Sequence, residues 1–233
     1  MRIRLSVALT LSIVATAYAE KPAPYPKMAP LDQYLMADRN AEIALARTAA
    51  PASISGDATI MVLTKRGYEE AVKGKNGFVC LIGRSWLAPL DEPELWNPKI
   101  RAPICLNAPA VRSVLPLQFQ LTAFALSGAT REQMVVKLKA TLATKSFAPE
   151  TGAMSYMMGK DQHLSDRDNH WHPHLMFYMP STIGEAVLGA NLAASPVVGG
   201  PSVVAGVGTM PVSTFYVLLD KWSDGTPAEA HVH

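Results

Sequence analysis

The sequence lacks several features that define common classes of protein. Only two of its 233 residues are cysteines and they do not form a CxxC pair, so a cysteine-rich metal module and a dithiol redox motif are both absent. Beyond the N-terminus, no run of 18 uncharged apolar residues has helical character, which excludes a conventional membrane-spanning helix. The glycines between 196 and 211 do not form G-x-G-x-x-G between a strand and a helix, which argues against a dinucleotide-binding protein.

The N-terminus has the form of an export signal. Two arginines precede an apolar run from Leu5 to Thr16, and Ala17-Tyr18-Ala19 supplies small residues for a peptidase. A run of this length is too short to span a membrane, and a buried N-terminal helix is the alternative. We therefore expect cleavage near Ala19 and a periplasmic or extracellular protein.

An excess of charge of one sign is also missing from the expected mature chain. Removing residues 1–19 removes two of the 21 basic residues and none of the 19 acids, which leaves a formal net charge of zero. A nucleic-acid partner would need a basic stripe, and an anionic membrane surface would need a polybasic segment. We expect neither partner, and we expect no stable membrane anchor, which leaves small molecules and proteins as partner classes.

The two cysteines, Cys80 and Cys105, predict one disulfide. Extracytoplasmic compartments are oxidising, and a pair of cysteines in an exported chain is typically bridged. Two free buried thiols are the alternative.

Short apolar runs and helix-capping patterns predict an α+β fold. They do not alternate regularly along the chain, which indicates an antiparallel sheet of five to six strands with two to three helices packed on one face. A single domain is expected over residues 31–222. A proline-rich leader at 20–30 precedes it, and a polar C-terminal tail at 223–233 follows.

Two kinds of pattern locate the elements. Short or alternating apolar runs predict strands at 58–64, 78–83, 114–126, 153–158, 170–179 and 214–220. Capping residues predict helices that begin at Asp38, at Thr130 with a T-x-x-Q capping box, and at Thr182, and that end near residues 50, 147 and 194. The polar stretch 65–76 is expected to connect the first two strands as a long antiparallel hairpin, and 196–211 to form a mobile or sheet-edge loop.

A proline-rich segment from Ser85 to Ala110 is predicted to lack regular structure over most of its length. Long loops of this kind are often functional or cover a site. Trp86 and Trp96 lie in it, and their rings serve either to cover the edge of the core or to stack on a ligand. The disulfide is expected to hold this loop against the sheet.

Residues 161–174 concentrate the groups that can do chemistry. Four of the six histidines of the chain and three aspartates lie within these fourteen residues. Imidazole and carboxylate are ligands of zinc and of other divalent transition metals. The candidate metal ligands are His163, Asp168, His170, His172 and His174.

The spacing of the histidines limits how they share one ion. On a strand, His170, His172 and His174 point to the same side, opposite to Trp171, with neighbouring members about 6.6 Å apart at Cα and the outer pair about 13 Å apart. A neighbouring pair can share a metal, and a third ligand would come from the preceding loop. Pro173 has no N–H, so the segment is expected to be an edge strand, a bulge or an extended loop.

Three functions are compatible with these residues. The first is a metal-dependent enzyme, with hydrolysis as a candidate reaction. The hydrolase motifs H-E-x-x-H and G-x-S-x-G are both absent. The second is a non-catalytic periplasmic protein that binds a metal or a small ligand. The third is a structural or interaction protein in which Asp–His pairs stabilise a loop.

Overall fold

One eight-stranded sheet organises the chain. The computed structural model describes residues 24–167 and 171–228, and its helices and strands belong to these ranges. The strands lie in the order β2-β1-β3-β4-β5-β6-β8-β7. They are β1 (Thr59–Thr64), β2 (Gly67–Val72), β3 (Val79–Gly83), β4 (Ala102–Leu106), β5 (Met154–Met157), β6 (His174–Pro180), β7 (Val197–Val204) and β8 (Gly208–Leu218).

Helices cover both faces of this sheet. They are α1 (Arg39–Arg47), α2 (Ala52–Ser55), α3 (Ala108–Ser113), α4 (Leu115–Leu126), α5 (Arg131–Thr144) and α6 (Glu185–Leu188). Cys80 and Ile82 of β3 share a core cluster with Ala46 of α1, whereas Leu81 between them packs with α3 and the start of α4. The α+β class is confirmed, but the expectation of helices on one face is wrong. The structure also has more strands and more helices than predicted.

Three strands were not predicted, namely β2, β4 and β7, and two of them, β2 and β7, form the edges of the sheet. β2 lies in the polar stretch 65–76, where Glu69 and Glu70 pair with β1 in an antiparallel ladder. β7 lies in the stretch 196–211 and pairs with β8, with a register shift between Pro201 and Val203. Neither strand has a continuous apolar run, because two glutamates lie in the middle of β2 and Gly199-Gly200-Pro201 lies in the middle of β7. The sheet-edge position of 196–211 is confirmed, but the segment is a hairpin and not a loop.

The order of the first strands also differs from the prediction. β1 and β3 were expected to pair in antiparallel fashion, but they are parallel, with Thr59 opposite Val79 and Ile60 opposite Cys80. The reason is that β2 already forms the antiparallel partner of β1, so the chain crosses to the other side of β1 before β3 begins. All other neighbouring strands are antiparallel.

The predicted strand 114–126 is helix α4. Leu115 and Phe119 pack toward the sheet, whereas Leu117, Leu121 and Ala125 pack with α5 and the loop tryptophans. Each set has the i, i+4 spacing of a helix face. Because the sets are offset by two residues, together they imitate the period of a strand. Pro116, in the first turn, is tolerated there because a helix leaves its first N–H groups unpaired.

Two of the other helix predictions are confirmed at their starts. The Asp38 carboxylate accepts a hydrogen bond from the Asn40 N–H at the start of α1. Thr130 and Gln133 form the reciprocal capping box at the start of α5, which buries Met134 and Leu138. The third is wrong in extent and in its cap, because α6 has only four residues, Gly184 replaces Thr182 at the cap, and Gly189 ends the helix with φ 61°.

The proline-rich segment is more regular than predicted. It contains β4 and the first residues of α3, and Cys105 lies within β4. Cys80 and Cys105 are directly opposite each other on β3 and β4 and form the predicted disulfide. The bridge is therefore confirmed, but it joins two central strands and does not fasten a loop. No helix in the described ranges is both long and apolar enough to cross a membrane.

Two long connections leave the sheet at the same end. β3 ends and β4 begins where Gly83 pairs with Ala102, and β5 ends and β6 begins where Met157 pairs with His174. The β4–β5 register places these two ends side by side. As a result, connections 84–101 and 158–173 meet above one end of the sheet, and His163 pairs there with Arg101 through two backbone hydrogen bonds.

Candidate functional site

A large cavity lies between the sheet and α4. Its volume is about 1300 Å³, above the range of roughly 300–1,000 Å³ that is typical of small-molecule sites. The floor consists of alternate residues of the central strands. On β6 and β8 these are His174, Met176, Tyr178, Val212, Thr214 and Tyr216. Met176 lies opposite Tyr216, and Tyr178 lies opposite Thr214, so these side chains share one face of the sheet.

The roof of the cavity comes from the helices and from the β7–β8 hairpin. Leu117, Gln118 and Leu121 of α4 line it, together with Leu138 of α5. The end of the hairpin reaches the helices, because Val204 is buried in the cluster that contains α4 and α5. The Ala205 N–H also donates to the Asp91 carboxylate at 3.0 Å. The hairpin therefore closes one side of the cavity.

Two oxygens in the cavity wall lack hydrogen-bond partners among the described residues. Ser85 directly follows Arg84 at the end of β3, and only 3% of its surface is exposed. Its Oγ and the Gln118 Oε1 are shielded from water, and neither has a partner within the described residues. Both residues line the cavity. A shielded, unpaired polar atom costs about 1–3 kcal/mol, so two of them around one cavity call for a functional explanation.

The serine and glutamine belong to elements that are held together. The Trp86 Nε1–H, one residue after Ser85, donates to the Thr122 Oγ1 at 3.1 Å. The Thr122 hydroxyl in turn donates to the backbone carbonyl of Gln118 at 2.9 Å. This chain of contacts fixes the short turn after β3 against α4. Ser85 and Gln118 are therefore presented by neighbouring, buried elements and not by a free loop.

Arg84 is a buried charge that is already satisfied. Its exposed side-chain fraction is 0%, and its Nη2 donates to the Glu42 Oε1 at 2.8 Å. Its Nε–H donates to the Tyr34 carbonyl at 2.7 Å. The guanidinium lines the cavity, but its charge is balanced by that of Glu42.

His174 lies at the aromatic end of the floor. Its ring contacts those of Trp171 and Tyr216, with centroid distances of 4.7 and 5.5 Å. Burial lowers the pKa of His174 to about 4, so the imidazole is neutral near pH 7. Its Nδ1 lies 2.7 Å from the His172 carbonyl oxygen, which can only accept. Nδ1 therefore carries the proton, and Nε2 keeps a lone pair.

Asp166 ties together three segments at the cavity mouth. Its carboxylate accepts hydrogen bonds from Tyr25 of the proline-rich leader, from Asn97 at 3.2 Å and from Lys99 at 3.1 Å. The His163 Nε2 lies 3.2 Å from the same carboxylate. The Tyr25 hydroxyl, followed by the other donors, holds the pKa of Asp166 well below its usual range. These contacts have the form of a polar cluster that orders loops.

The predicted metal ligands are only partly brought together. His163 is paired with Asp166, and His174 is bonded to the backbone of His172. Asp168 and His170 lie outside the described residues. Within residues 24–167 and 171–228, no three His, Cys, Asp or Glu side chains converge as a metal site would require. The metal site with Asp168 and His170 therefore stays a prediction, as does the signal peptide at 1–19.

Of the histidine segment, residues 170–174, the described residues 171–173 do not form the strand that the spacing predicted. β6 begins only at His174, so His172 and Pro173 form the extended approach to a central strand and not part of an edge strand. The alternation of sides therefore fails, and Trp171 contacts the His174 ring instead of pointing away from it. The extended-loop alternative is the one that the structure supports.

Trp86 and Trp96 are core residues. Both belong to the cluster formed with α4 and α5, and neither is among the residues that line the cavity. The Trp86 ring packs against that of Tyr34 at 4.9 Å, and the Tyr34 hydroxyl donates to the Trp96 carbonyl at 2.8 Å. Their placement agrees with the packing alternative. The aromatic residues on the cavity wall are Trp171, Tyr178 and Tyr216.

Sequence reasoning missed most of the residues that line the cavity. Period-2 patterns at His174-Met176-Tyr178 and Thr214-Tyr216 were available, but they show only that one face is shared and not what that face meets. Ser85 and Gln118 carry no sequence signal, because their importance comes from the absence of partners within the described part of the folded chain.

Comparison of the chain with family models, with curated proteins and with solved structures gave no match.

Proposed function

We propose that this chain is a binding protein for a small, mostly apolar molecule. The observation that carries the proposal is the cavity, whose floor and roof are built largely from methionine, leucine and aromatic side chains. Pockets of this kind combine an apolar lining with a few placed polar groups. The Cys80–Cys105 disulfide is consistent with a role in an oxidising compartment.

The polar groups around the cavity favour binding over catalysis. A serine nucleophile needs a base within hydrogen-bond reach, and the Ser85 hydroxyl has no partner among the described residues. The His174 Nδ1–H is committed to a backbone carbonyl. Asp166 is held as a carboxylate by four donors, which suits a structural anion better than a proton acceptor.

Binding of an uncharged hydrocarbon fluorophore tests this function. 1,6-Diphenylhexatriene fluoresces in apolar surroundings and has no hydrogen-bonding group, so its affinity reports the cavity alone. We expect saturable binding of one probe per chain. The floor variant Val212→Trp/Thr214→Trp should weaken it about tenfold or more, which corresponds to about 1.4 kcal/mol of lost contact.

A double variant with the same number of tryptophans serves as the control. Val136→Trp/Val187→Trp changes two exposed valines that do not line the cavity, and it should leave probe affinity unchanged. Absence of saturable binding by the wild type, or equal affinity in the floor variant, would refute the proposal.

A metal ion held by the histidine segment is a second candidate function, with hydrolysis as the chemistry that a bound zinc ion would supply. The specific observation in its favour is the His174 Nδ1–H bond to a carbonyl, an arrangement common among metal-ligating histidines. Metal content of protein purified without a histidine tag should fall in His170→Ala/His172→Ala. Equal content in the wild type and this variant would dispose of the site.

A further inference from the structure

The two unpaired oxygens in the cavity wall define a polar subsite. Ser85 Oγ is a donor and an acceptor, whereas Gln118 Oε1 only accepts. A hydroxyl group carries both functions that these oxygens need, because its O–H can donate to the amide oxygen while its own oxygen accepts from the serine. Both residues line the cavity.

The charges around the cavity argue against an anionic ligand. Four acidic residues line it, namely Glu92, Glu94, Asp166 and Glu185, against two arginines. Arg84 is already balanced by Glu42, and Asp166 by Lys99, which leaves three acids against one arginine. A carboxylate ligand would face this excess of negative charge. It would also bring no proton for Gln118 Oε1, which would stay unpaired.

A cationic ligand is disfavoured at the inner wall for a different reason. An ammonium group has donors for both oxygens, but Ser85 follows the buried guanidinium of Arg84 in the chain. Placing a second positive charge in this shielded region would carry a large desolvation cost, and no acid among the described residues is hydrogen-bonded to either oxygen to compensate it. The polar subsite therefore suits a neutral group.

We propose that the cavity binds an uncharged amphipathic alcohol, with its hydroxyl held by Ser85 and Gln118 and its apolar part along the sheet. This proposal rests on the proposed binding function, and it adds the chemical class of the ligand. The apolar part lies over alternate residues of β6 and β8, such as Met176, Tyr178 and Tyr216.

Competition against diphenylhexatriene distinguishes the ligand classes. We choose decan-1-ol, decanoate and decylammonium, which have the same chain length and differ in the head group. Decan-1-ol should displace the probe at a concentration about tenfold lower than either ion. Ser85→Ala and Gln118→Leu should each weaken decan-1-ol about fivefold, the usual effect of one neutral hydrogen bond. Both variants should keep the affinity for diphenylhexatriene within twofold.

Gln120→Leu is the matched control, because it makes the same substitution on α4 at a residue that does not line the cavity. It should leave the affinity for decan-1-ol unchanged. A second readout is thermal stability without ligand: Ser85→Ala removes an unpaired buried hydroxyl, so Tm should rise by about 2–4 °C. A purely structural serine would lower Tm instead and leave the ratio of decan-1-ol to probe affinity unchanged.

The outcomes distinguish a failure of the alcohol proposal from a failure of the proposed binding function. If the probe does not bind the wild type, the binding function fails and the alcohol proposal fails with it. If the probe binds and responds to the floor variant, but an ion competes best or both polar substitutions leave decan-1-ol unaffected, only the alcohol proposal is overturned.

Discussion

At the scale of single residues, the buried pair of Glu42 and Arg84 supports the cavity wall. Glu42 lies on α1 and Arg84 at the end of β3, and the exposed side-chain fractions are 2% and 0%. The same Glu42 oxygen accepts from the Leu63 N–H at 3.2 Å. One carboxylate thus connects a helix, a strand and the residue that precedes Ser85.

Removing this carboxylate should be strongly destabilising. Glu42→Ala leaves a buried guanidinium unpaired, and we expect the free energy of unfolding to fall by about 3–5 kcal/mol. Glu42→Gln should cost less, because its amide oxygen still accepts from Arg84 and from the Leu63 N–H. Urea denaturation of the two variants measures the difference, and equal losses would contradict the role of the acceptor.

His174 should make stability depend on pH. Its folded pKa of about 4 lies below the ordinary value of 6.5, so between these values the unfolded chain binds a proton that the folded chain does not. Stability should therefore be fully present above pH 6.5 and fall by about 3 kcal/mol as the pH drops to 4. Urea denaturation at a series of pH values, in the presence of EDTA, measures this fall.

His174→Phe, which keeps an aromatic ring beside Trp171, should lose most of that pH dependence. The partly exposed His163 provides the control variant His163→Gln, which should retain it. The depressed pKa of Asp166 acts in a lower window, because a carboxylate loses its stabilising contribution only as the pH falls through and below its ordinary range. A wild type whose stability is flat from pH 7 to pH 4 would contradict the burial of a neutral His174.

At the scale of elements, α4 is the helix whose sequence pattern predicted a strand. A helix between two layers has apolar residues on opposite sides, so its hydrophobic pattern no longer marks one face. α5 has one buried stripe and a capping box, and these signals predict it correctly. The edge strands β2 and β7 were missed for other reasons, because Glu69 and Glu70 make β2 polar and Gly199-Gly200-Pro201 interrupts the valines of β7.

The cluster around Asp166 should govern exchange through the cavity mouth. If ligand passes between connections 84–101 and 158–173, Tyr25→Phe and Asp166→Asn remove contacts that hold these segments together. Association and dissociation of diphenylhexatriene should both accelerate about fivefold, with a smaller change in Kd. Stopped-flow fluorescence measures both rates.

Asp224→Asn is the matched control, because it removes the ion pair with Lys160, and Asp224 does not line the cavity. It should leave both rates unchanged. Unchanged rates in Asp166→Asn would show that ligand does not pass this cluster.

At the scale of the whole molecule, the disulfide joins strands that are already paired. Cys80 and Cys105 are 25 residues apart in sequence and face each other across β3 and β4. Cys80→Ala/Cys105→Ala should lower the free energy of unfolding by about 3 kcal/mol, through the entropy of the unfolded chain. The circular dichroism spectrum should remain the same, because the strand ladder stays intact.

Thiol titration provides an independent check. The denatured but unreduced protein should contain no free thiol, and two thiols per chain would contradict the bridge. If the double variant lacked the wild-type circular dichroism spectrum, that would contradict the expectation that the strand ladder stays intact without the disulfide.

At this scale, features set by local sequence could be predicted, and features set by contacts between distant elements could not. The disulfide could be predicted from the presence of two cysteines in a chain that is expected to be exported. The α+β class could be predicted from short apolar runs and helix-capping residues. The cavity could not, because it depends on which elements face each other across the sheet. The histidine segment drew attention through composition, yet in the described part of the chain His163 and His174 are already bonded within the protein.

The edge strand β7 has a consequence for assembly. Pro201 has no N–H to offer a neighbouring strand, and Gly199 and Gly200 adopt φ of 98° and 153° beside the register shift. At the opposite edge, Glu69 and Glu70 place charge along β2. Strands of another molecule would find few matching groups at either edge, so the sheet should resist growth by strand addition even though its central strands line a mostly apolar cavity.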